Sequence, residues 1–116
     1  MRIAVDAMGG DFGPKATVPG ALRAAEDFGV DILLVGLENV IRREVDQTGK
    51  HNSRVTIIDA PEAIGMGDSL LAFRKKKASS IRVGAQLVKD GRAEAFVSMG
   101  NTGAVVYLSR DVLGSL

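Results

Sequence analysis

Three short stretches of the chain carry the side chains that could do chemistry, and each combines small polar residues with glycine or with cations. They are MGGDFGP at residues 8–14, RKKKASSI at residues 74–81 and SMGNTG at residues 98–103. Glycine lets the backbone approach a ligand closely, hydroxyl and amide groups donate hydrogen bonds, and a guanidinium such as that of Arg74 matches phosphate in a bidentate way. These stretches therefore indicate a site for an oxyanion.

The stretch SMGNTG lies between two apolar runs, as expected where a strand turns into a helix. Gly100 and Gly103 would let the backbone come close to an anion, and Ser98 would add a hydroxyl. Asn101 or Thr102 would begin a helix whose free N–H groups and dipole attract negative charge. The same residue types are common in turns that bind nothing, so the local sequence leaves ordinary turn chemistry open beside anion binding.

The basic run from Arg74 to Lys77 directly precedes a pair of serines, Ser79 and Ser80. It could gather phosphate or meet an acidic partner protein. For Lys75 and Lys77 a solvated basic face is the alternative.

Several familiar sites are absent from the sequence. No GxxxxGK[ST] phosphate loop and no GxGxxG dinucleotide motif occur, and Ser98 lies in no GxSxG motif. The chain has no cysteine and one histidine, His51, which we expect at the surface, so thiolate and imidazole metal clusters are excluded. We predict no metal and no cofactor, although four aspartates could in principle hold a hard cation. They are Asp6, Asp11, Asp59 and Asp68.

Composition limits the remaining classes of protein. The chain has 116 residues, of which 46% are hydrophobic and 25% charged, as in an ordinary globular domain. Its 15 basic and 14 acidic residues nearly cancel, which gives no reason to expect nucleic acid as a partner. No apolar run approaches the roughly 20 residues of a membrane-spanning helix, and Asp6 interrupts the only apolar start that could resemble a secretory signal. A cytoplasmic location is expected.

Short apolar runs rich in β-branched residues alternate with segments of helical periodicity. The runs, at residues 2–7, 31–36, 54–59 and 94–99, predict strands buried on both faces. Helices are expected at about residues 17–29, 38–47, 80–91 and 102–113. The first should bury Val18, Leu22 and Ala25 and end at Gly29, and the last is apolar on nearly all sides, which predicts a buried helix.

The alternation predicts an α/β sandwich with a mainly parallel sheet. In such sheets ligands bind outside the carboxyl ends of the strands. The polar stretches follow the first and last predicted strands at that edge. The elements should therefore bring the candidate anion-binding residues together.

VDAMGGDFGP, RKKKASSI and SMGNTGA, in this order and at these separations, resemble the bacterial phosphate acyltransferase (PlsX) family over the whole chain. The resemblance implies an enzyme of phospholipid synthesis that transfers a fatty acyl group from acyl carrier protein to orthophosphate, giving acyl phosphate. It also implies a three-layer α/β/α fold similar to phosphotransacetylases and to isocitrate and isopropylmalate dehydrogenases. Since family members are longer, residues 1–116 would be the amino-terminal part of a single domain whose remainder is absent, and inactive alone.

The family pattern also implies roles for particular residues. The catalytic candidates are Asn101, Thr102 and Arg74. The implied phosphate or substrate-binding residues are Gly9, Gly10, Asp11, Ser79, Ser80, Ser98, Gly100 and Gly103. Lys75, Lys76 and Lys77 are the implied contacts with the acidic carrier protein. Asp6 and Asp11 would hold loops or orient donors, because a carboxylate beside phosphate is repulsive.

The resemblance further implies a homodimer that is cytoplasmic and peripherally associated with the membrane through parts outside this chain. Its product would serve the membrane acyltransferase that acylates glycerol 3-phosphate. Two alternatives from other classes remain. One is a nucleotide- or phosphate-ligand-binding α/β domain, and the other is a non-catalytic fragment that only associates with its missing half.

Overall fold

The computed structural model describes residues 1–10, 12–60, 80–100 and 103–109. Along the chain the elements are β1 (Arg2–Asp6), α1 (Pro14–Phe28), β2 (Asp31–Gly36), α2 (Glu38–Thr48), β3 (Val55–Asp59), α3 (residues 80–89), β4 (Ala95–Gly100) and β5 (Gly103–Leu108). The four predicted strands are confirmed as β1 to β4, each end within one residue of its expected place. The expected burial on both faces is wrong for β3, because it is an edge strand and none of its residues is fully buried. The second and third predicted helices are confirmed as α2 and α3.

The strands form one five-stranded sheet in the order β3-β2-β1-β4-β5. Strands β1, β2, β3 and β4 pair in parallel with their neighbours, and β5 pairs antiparallel with β4. The chain winds outward from β1 to β3 and then returns to the other side of β1 at β4. The reversal creates a topological switch point between β1 and β4, and ligands of open α/β sheets bind at the carboxyl ends of such strands.

One hydrophobic core lies on each face of the sheet. On one face α1 and α2 cover the strands, and the core includes Val18, Ala21, Leu22, Ala25, Ile32, Leu34 and Ile41. On the other face α3 covers them, and the core includes Ala4, Val35, Leu87, Val88 and Phe96. Successive side chains of β2 thus enter opposite cores, which is why the strands are continuous apolar runs. The described part has three layers, with helices on both faces of the mostly parallel sheet.

The first helix buries the predicted residues but begins earlier than predicted. It starts at Pro14, because a proline suits the first helical position, where its missing N–H is not needed. Thr17, expected at the start, lies inside α1, where its hydroxyl donates to the Ala7 carbonyl at 2.6 Å. Gly29 ends the helix with φ at 64°, as predicted.

The second helix receives its amino-terminal cap from another element. Leu37 at the cap position makes no side-chain hydrogen bond to the helix, and the Glu38 backbone N–H donates instead to Oδ1 of Asp59 at 3.1 Å. Asp59 ends β3, so the cap ties the carboxyl edge of β3 to the start of α2. The anion-attracting end of α2 is thus satisfied by a carboxylate of the chain itself.

The buried helix predicted for residues 102–113 is wrong, because residues 103–108 form β5. Gly103 lies opposite Gly100 in the antiparallel pair. Val105, Val106, Tyr107 and Leu108 are exposed rather than buried. A short apolar run fits a strand as well as a helix, and β-branched and aromatic residues favour the strand where an open sheet edge is available for pairing.

Arg2 and Glu94 join the amino end of β1 to the turn before β4. The Arg2 backbone N–H donates to Glu94 Oε2 at 2.7 Å, and the two side chains approach to 3.6 Å. The Arg2 guanidinium also donates to the Gly91 carbonyl at 3.0 Å. These contacts hold β4 beside β1 at the edge opposite the switch point.

Replacing Glu94 with Gln should lower stability at neutral pH but not in acid. The pKa of Glu94 is held below its ordinary value, chiefly because the Arg2 backbone N–H donates to its carboxylate. Such a group contributes stability above its unfolded-state pKa and loses that contribution as the pH falls through the folded-state value. Because the pair is partly exposed, we expect E94Q to lose at most about 1 kcal/mol of unfolding free energy at neutral pH, and we expect no loss in acid once Glu94 is protonated in the folded and the unfolded protein.

Urea unfolding at the two pH values measures this difference. Glu26→Gln, on the exposed surface of α1, is the matched control. An equal loss for E94Q at both pH values would contradict the prediction.

Candidate functional site

The candidate site lies at the carboxyl ends of β1 and β4, where the topology places the switch point. Val5 pairs with Val97 in the parallel register, so the next residues, Asp6 and Ser98, lie side by side at the edge. Both are almost fully buried, with 1% of Asp6 and 4% of Ser98 exposed. Two polar side chains are therefore enclosed at the one place in the described sheet where the fold favours a ligand.

Asp6 and Ser98 are joined by a short hydrogen bond. The Ser98 hydroxyl donates to Oδ2 of Asp6 at 2.7 Å, and the Met8 backbone N–H donates to Oδ1 at 2.9 Å. In this contact the hydroxyl is the donor and the carboxylate oxygen the acceptor, so the Ser98 proton is directed at Asp6. The lone pairs of Ser98 are left for other partners.

The glycine-rich loop after β1 lies directly against the end of β4. A Cβ atom at Gly9 would lie 2.6 Å from the Met99 carbonyl oxygen and 3.1 Å from Oδ2 of Asp6, which no real side chain tolerates. Gly10 has φ at 83°, in the left-handed region that glycine adopts without strain. The two glycines therefore allow this loop to close over the Asp6–Ser98 pair.

Ser80 brings a second hydroxyl to the same face of the sheet. Gly84 of α3 contacts the Phe96 ring so closely that an added Cβ would overlap it. Ser80 precedes Gly84 by one helical turn, which is about 6 Å along α3. Ser98 follows Phe96 by two residues, which is about 6.6 Å along β4. Since α3 leads directly back into β4, both steps run toward the carboxyl edge, and Ser80 and Ser98 lie on the same face of the sheet toward that edge.

The Ser80 hydroxyl is buried and unsatisfied. The residue is 1% exposed, and its Oγ has no hydrogen-bond partner within the part of the chain that the structure describes. A buried hydroxyl without a partner is costly, and a ligand that accepts its hydrogen would explain its burial. This is the clearest unfilled donor of the candidate site.

The starts of the described helices differ in how their positive ends are satisfied. The carboxylate of Asp59 occupies the start of α2, as described above. The start of α1 has Gly13 at the cap position without a side-chain hydrogen bond, and its first turn contains no acidic residue but does contain Lys15. The start of α1, at the end of the loop that follows β1, therefore offers positive potential that an anion would meet.

The structure brings six of the predicted site residues to this edge, and the other eight lie outside the described residues. Gly9, Gly10, Ser80, Ser98 and Gly100 lie at or beside the carboxyl ends of β1 and β4, and Gly103 pairs with Gly100 at the start of β5. Those outside the described residues are Asp11, Arg74, Lys75, Lys76, Lys77, Ser79, Asn101 and Thr102. Their roles stay predictions, but no helix follows Thr102 to supply a dipole.

Met99 contributes to the site in a way that the sequence did not indicate. Its backbone carbonyl forms the wall against which Gly9 packs. No sequence signal marks such a contact, because it is made by backbone atoms and any residue type could supply it. The contact depends on the parallel pairing of β1 with β4.

Other features lie away from this edge. A cleft of about 310 Å³ between α1, α2 and β3 is lined by Leu22, Val45 and Ile57 together with Arg42 and the exposed His51. Across the ranges that the structure describes, no three His, Asp or Glu side chains are grouped as metal ligands would be. Within the same ranges, every helix is too short or too polar to cross a membrane.

Comparison with known proteins gives a consistent result. A family model described as fatty acid synthesis protein matches residues 1–116. A protein named phosphate acyltransferase from Gloeobacter violaceus is 48% identical over 100% of this chain and 34% of its own length. One of the same name from Trichlorobacter lovleyi is 47% identical over 97% of this chain and 33% of its own length. One of the same name from Herpetosiphon aurantiacus is 44% identical over 100% of this chain and 32% of its own. The chain spans about a third of the length of these curated relatives.

Proposed function

This chain belongs to the family described as fatty acid synthesis protein, and from that membership we propose that it is the amino-terminal part of a phosphate acyltransferase. The proposed reaction transfers a fatty acyl group from acyl carrier protein to orthophosphate, and it supplies acyl phosphate to phospholipid synthesis. Residues 1–116 would form part of a single domain, with further elements contributed by residues outside this chain. The names and coverage of the relatives support this assignment.

The observation that carries the proposal is the buried polar cluster at the switch point. Asp6, Ser98 and Ser80 lie on one face, under a glycine loop that approaches β4 closely. The start of α1, at the end of the loop that follows β1, adds positive potential at the same edge of the sheet. An oxyanion of the size of phosphate suits these groups better than an apolar ligand does.

The chemistry asks for positioning rather than for a nucleophilic side chain. An oxygen of orthophosphate attacks the thioester carbon, and the carbon–sulfur bond then breaks. The carrier leaves as a thiolate, which takes up a proton. The protein has to hold the phosphate beside the thioester and stabilise the oxyanion that forms on the acyl carbonyl. Ser80 and the backbone N–H groups of the glycine loop suit the first task.

Further roles are part of the proposal and are supported by the resemblance of the motifs. Arg74, Asn101 and Thr102 would donate to phosphate or to the oxyanion, and the amide and hydroxyl would do so directly, without a helix dipole. Lys75, Lys76 and Lys77 would steer the acidic carrier protein to the site. The whole protein would be a cytoplasmic homodimer at the membrane surface, with its product passed to a glycerol 3-phosphate acyltransferase. Its fold would be of the phosphotransacetylase and isocitrate dehydrogenase type.

The test is thiol release from an acyl carrier protein thioester by the full-length polypeptide that contains this chain. We expect release that requires orthophosphate and is faster with the carrier thioester than with acyl-CoA. Asn101→Ala should reduce the phosphate-dependent rate. Phosphate binding without release from either donor would instead indicate a phosphate-binding α/β domain, and the acyltransferase proposal would fail.

A further inference from the structure

We propose that Asp6 and Ser98 determine anion specificity, by favouring an oxyanion that carries a proton, such as orthophosphate, over a fully deprotonated one such as sulfate. The identity of the substrate rests on the proposed function, whereas the specificity follows from the Asp6–Ser98 hydrogen bond. Asp6 acts as a positioning residue, because it works through the hydroxyl of Ser98.

The first step concerns the direction of the Ser98 hydroxyl. A serine hydroxyl has one hydrogen to donate and two lone pairs that accept. The hydrogen is engaged by Oδ2 of Asp6 at 2.7 Å, in a pair that is buried on both sides. The Met8 N–H holds the other carboxylate oxygen at 2.9 Å, which fixes the plane of the carboxylate. Toward a ligand, Ser98 can therefore act only as an acceptor.

The second step concerns the hydroxyl of Ser80. The buried Ser80 hydroxyl has no hydrogen-bond partner among the described residues, and Ser80 lies on the same face of the sheet as Ser98, toward the same edge. Its hydrogen is available to a ligand oxygen. The cluster thus presents one donor, Ser80, and one acceptor, Ser98, on the same face of the sheet.

This combination distinguishes two anions of similar size and shape. Near neutral pH orthophosphate keeps at least one proton, which can be donated to Ser98, and its other oxygens can accept from Ser80. Sulfate carries no proton, so its oxygen would face the lone pairs of Ser98 with the Asp6 carboxylate behind them. Sites built to hydrogen-bond a ligand proton reject analogues that lack it by large factors, and we expect sulfate to bind at least about 100-fold more weakly than phosphate.

Asp6→Asn tests the inference because it keeps the shape and reverses the polarity. The asparagine Oδ1 can still accept from the Met8 N–H, while its Nδ2 donates to Ser98. The Ser98 hydrogen then turns outward, and Ser98 becomes a donor. We expect D6N to bind phosphate more weakly and sulfate more strongly. The dissociation constant for sulfate divided by that for phosphate should therefore fall by about 10-fold or more.

Calorimetric titration of the full-length protein with inorganic phosphate and with sulfate measures the two affinities. Asp31→Asn, an exposed position at the opposite edge of the sheet, is the matched control and should leave both affinities unchanged. Circular dichroism shows whether D6N folds. If folded D6N had the same ratio of dissociation constants for sulfate and phosphate as the parent, the inference would be overturned.

A second variant decides the matter if D6N fails to fold. Ser98→Ala removes the acceptor and should weaken the binding of phosphate but not that of sulfate. The dissociation constant for sulfate divided by that for phosphate then also falls. Equal weakening of both anions would overturn the inference. The affinities are measured independently of turnover. Selectivity for phosphate over sulfate without thiol release would therefore refute only the proposed function. Thiol release with an unchanged ratio in D6N refutes only the inference.

Discussion

Gly84→Ala should lower the free energy of unfolding by about 2 kcal/mol, although alanine is the better helix former. Gly84 lies on the face of α3 that contacts Phe96, and an added Cβ would overlap the ring. The ring is completely buried between α3 and the sheet, so it has no space into which to move. Either α3 must lift from β4 or Phe96 must leave its rotamer, and both cost more than the roughly 1 kcal/mol gained in helix propensity.

The chain offers a matched control for this substitution in Gly20. It lies in α1, and an added Cβ there would meet no atom within 4 Å. Gly20→Ala should therefore stabilise the protein by up to about 1 kcal/mol, so the same chemical change has opposite signs at two helical positions.

Urea unfolding of both variants measures the difference. Phe96→Leu in the Gly84→Ala background should recover part of the loss, because the smaller side chain leaves room for the methyl group. A double-mutant cycle then gives the coupling between the two positions. If Gly84→Ala proved as stable as the parent, the close packing of α3 on β4 would be wrong.

Gly9→Ala should reduce phosphate-dependent turnover by about 100-fold, since displacing a positioning group by roughly 1 Å has an effect of this size. The new Cβ would lie 2.6 Å from the Met99 carbonyl oxygen, which belongs to a strand in the centre of the sheet and cannot give way. The loop must move instead, and it carries Met8, whose N–H holds Asp6. The change therefore reaches the Ser98 hydroxyl and the backbone N–H groups nearest the anion.

The measurement is kcat/KM for orthophosphate in the full-length protein, with Gly20→Ala as the control that leaves the site untouched. We expect Gly9→Ala to remain folded, because the loop lies outside both hydrophobic cores. Unchanged kcat/KM in folded Gly9→Ala would show that the loop does not contact the reacting groups.

The elements of the fold follow from local patterns in the sequence. Strands β1 to β4 are continuous runs of apolar residues, and a strand covered by helices on both faces requires such a run regardless of its neighbours. Gly29 ended α1 as predicted, because a left-handed residue after the last turn is a local requirement. The sequence pattern places the start of α1 three residues too late, because threonine is a common helix cap and Thr17 fits that role. In the structure the Thr17 hydroxyl donates to the Ala7 carbonyl instead, a contact that the local sequence does not indicate. The motifs indicated the family, which the comparisons confirm.

The last apolar run shows where local pattern stops being sufficient. The segment from Gly103 to Leu108 satisfies the pattern of a helix and of a strand, and the open edge of β4 decided between them. That edge exists only once β4 has paired with β1 on the side away from β2.

By itself the sequence determined the α/β class and the positions of four strands, because each depends on residue types and on spacings within one turn or one strand. The oxyanion chemistry of the polar stretches stays a prediction. The tertiary structure alone decided that Asp6 and Ser98, 92 residues apart, share a hydrogen bond, and that the proton of Ser98 is directed inward. It alone placed Gly9 against Met99, and Ser80 on the same face of the sheet as Ser98. These contacts depend on the order and register of strands that are distant in the chain, and strand order and register arise from the packing of the whole sheet rather than from any local preference.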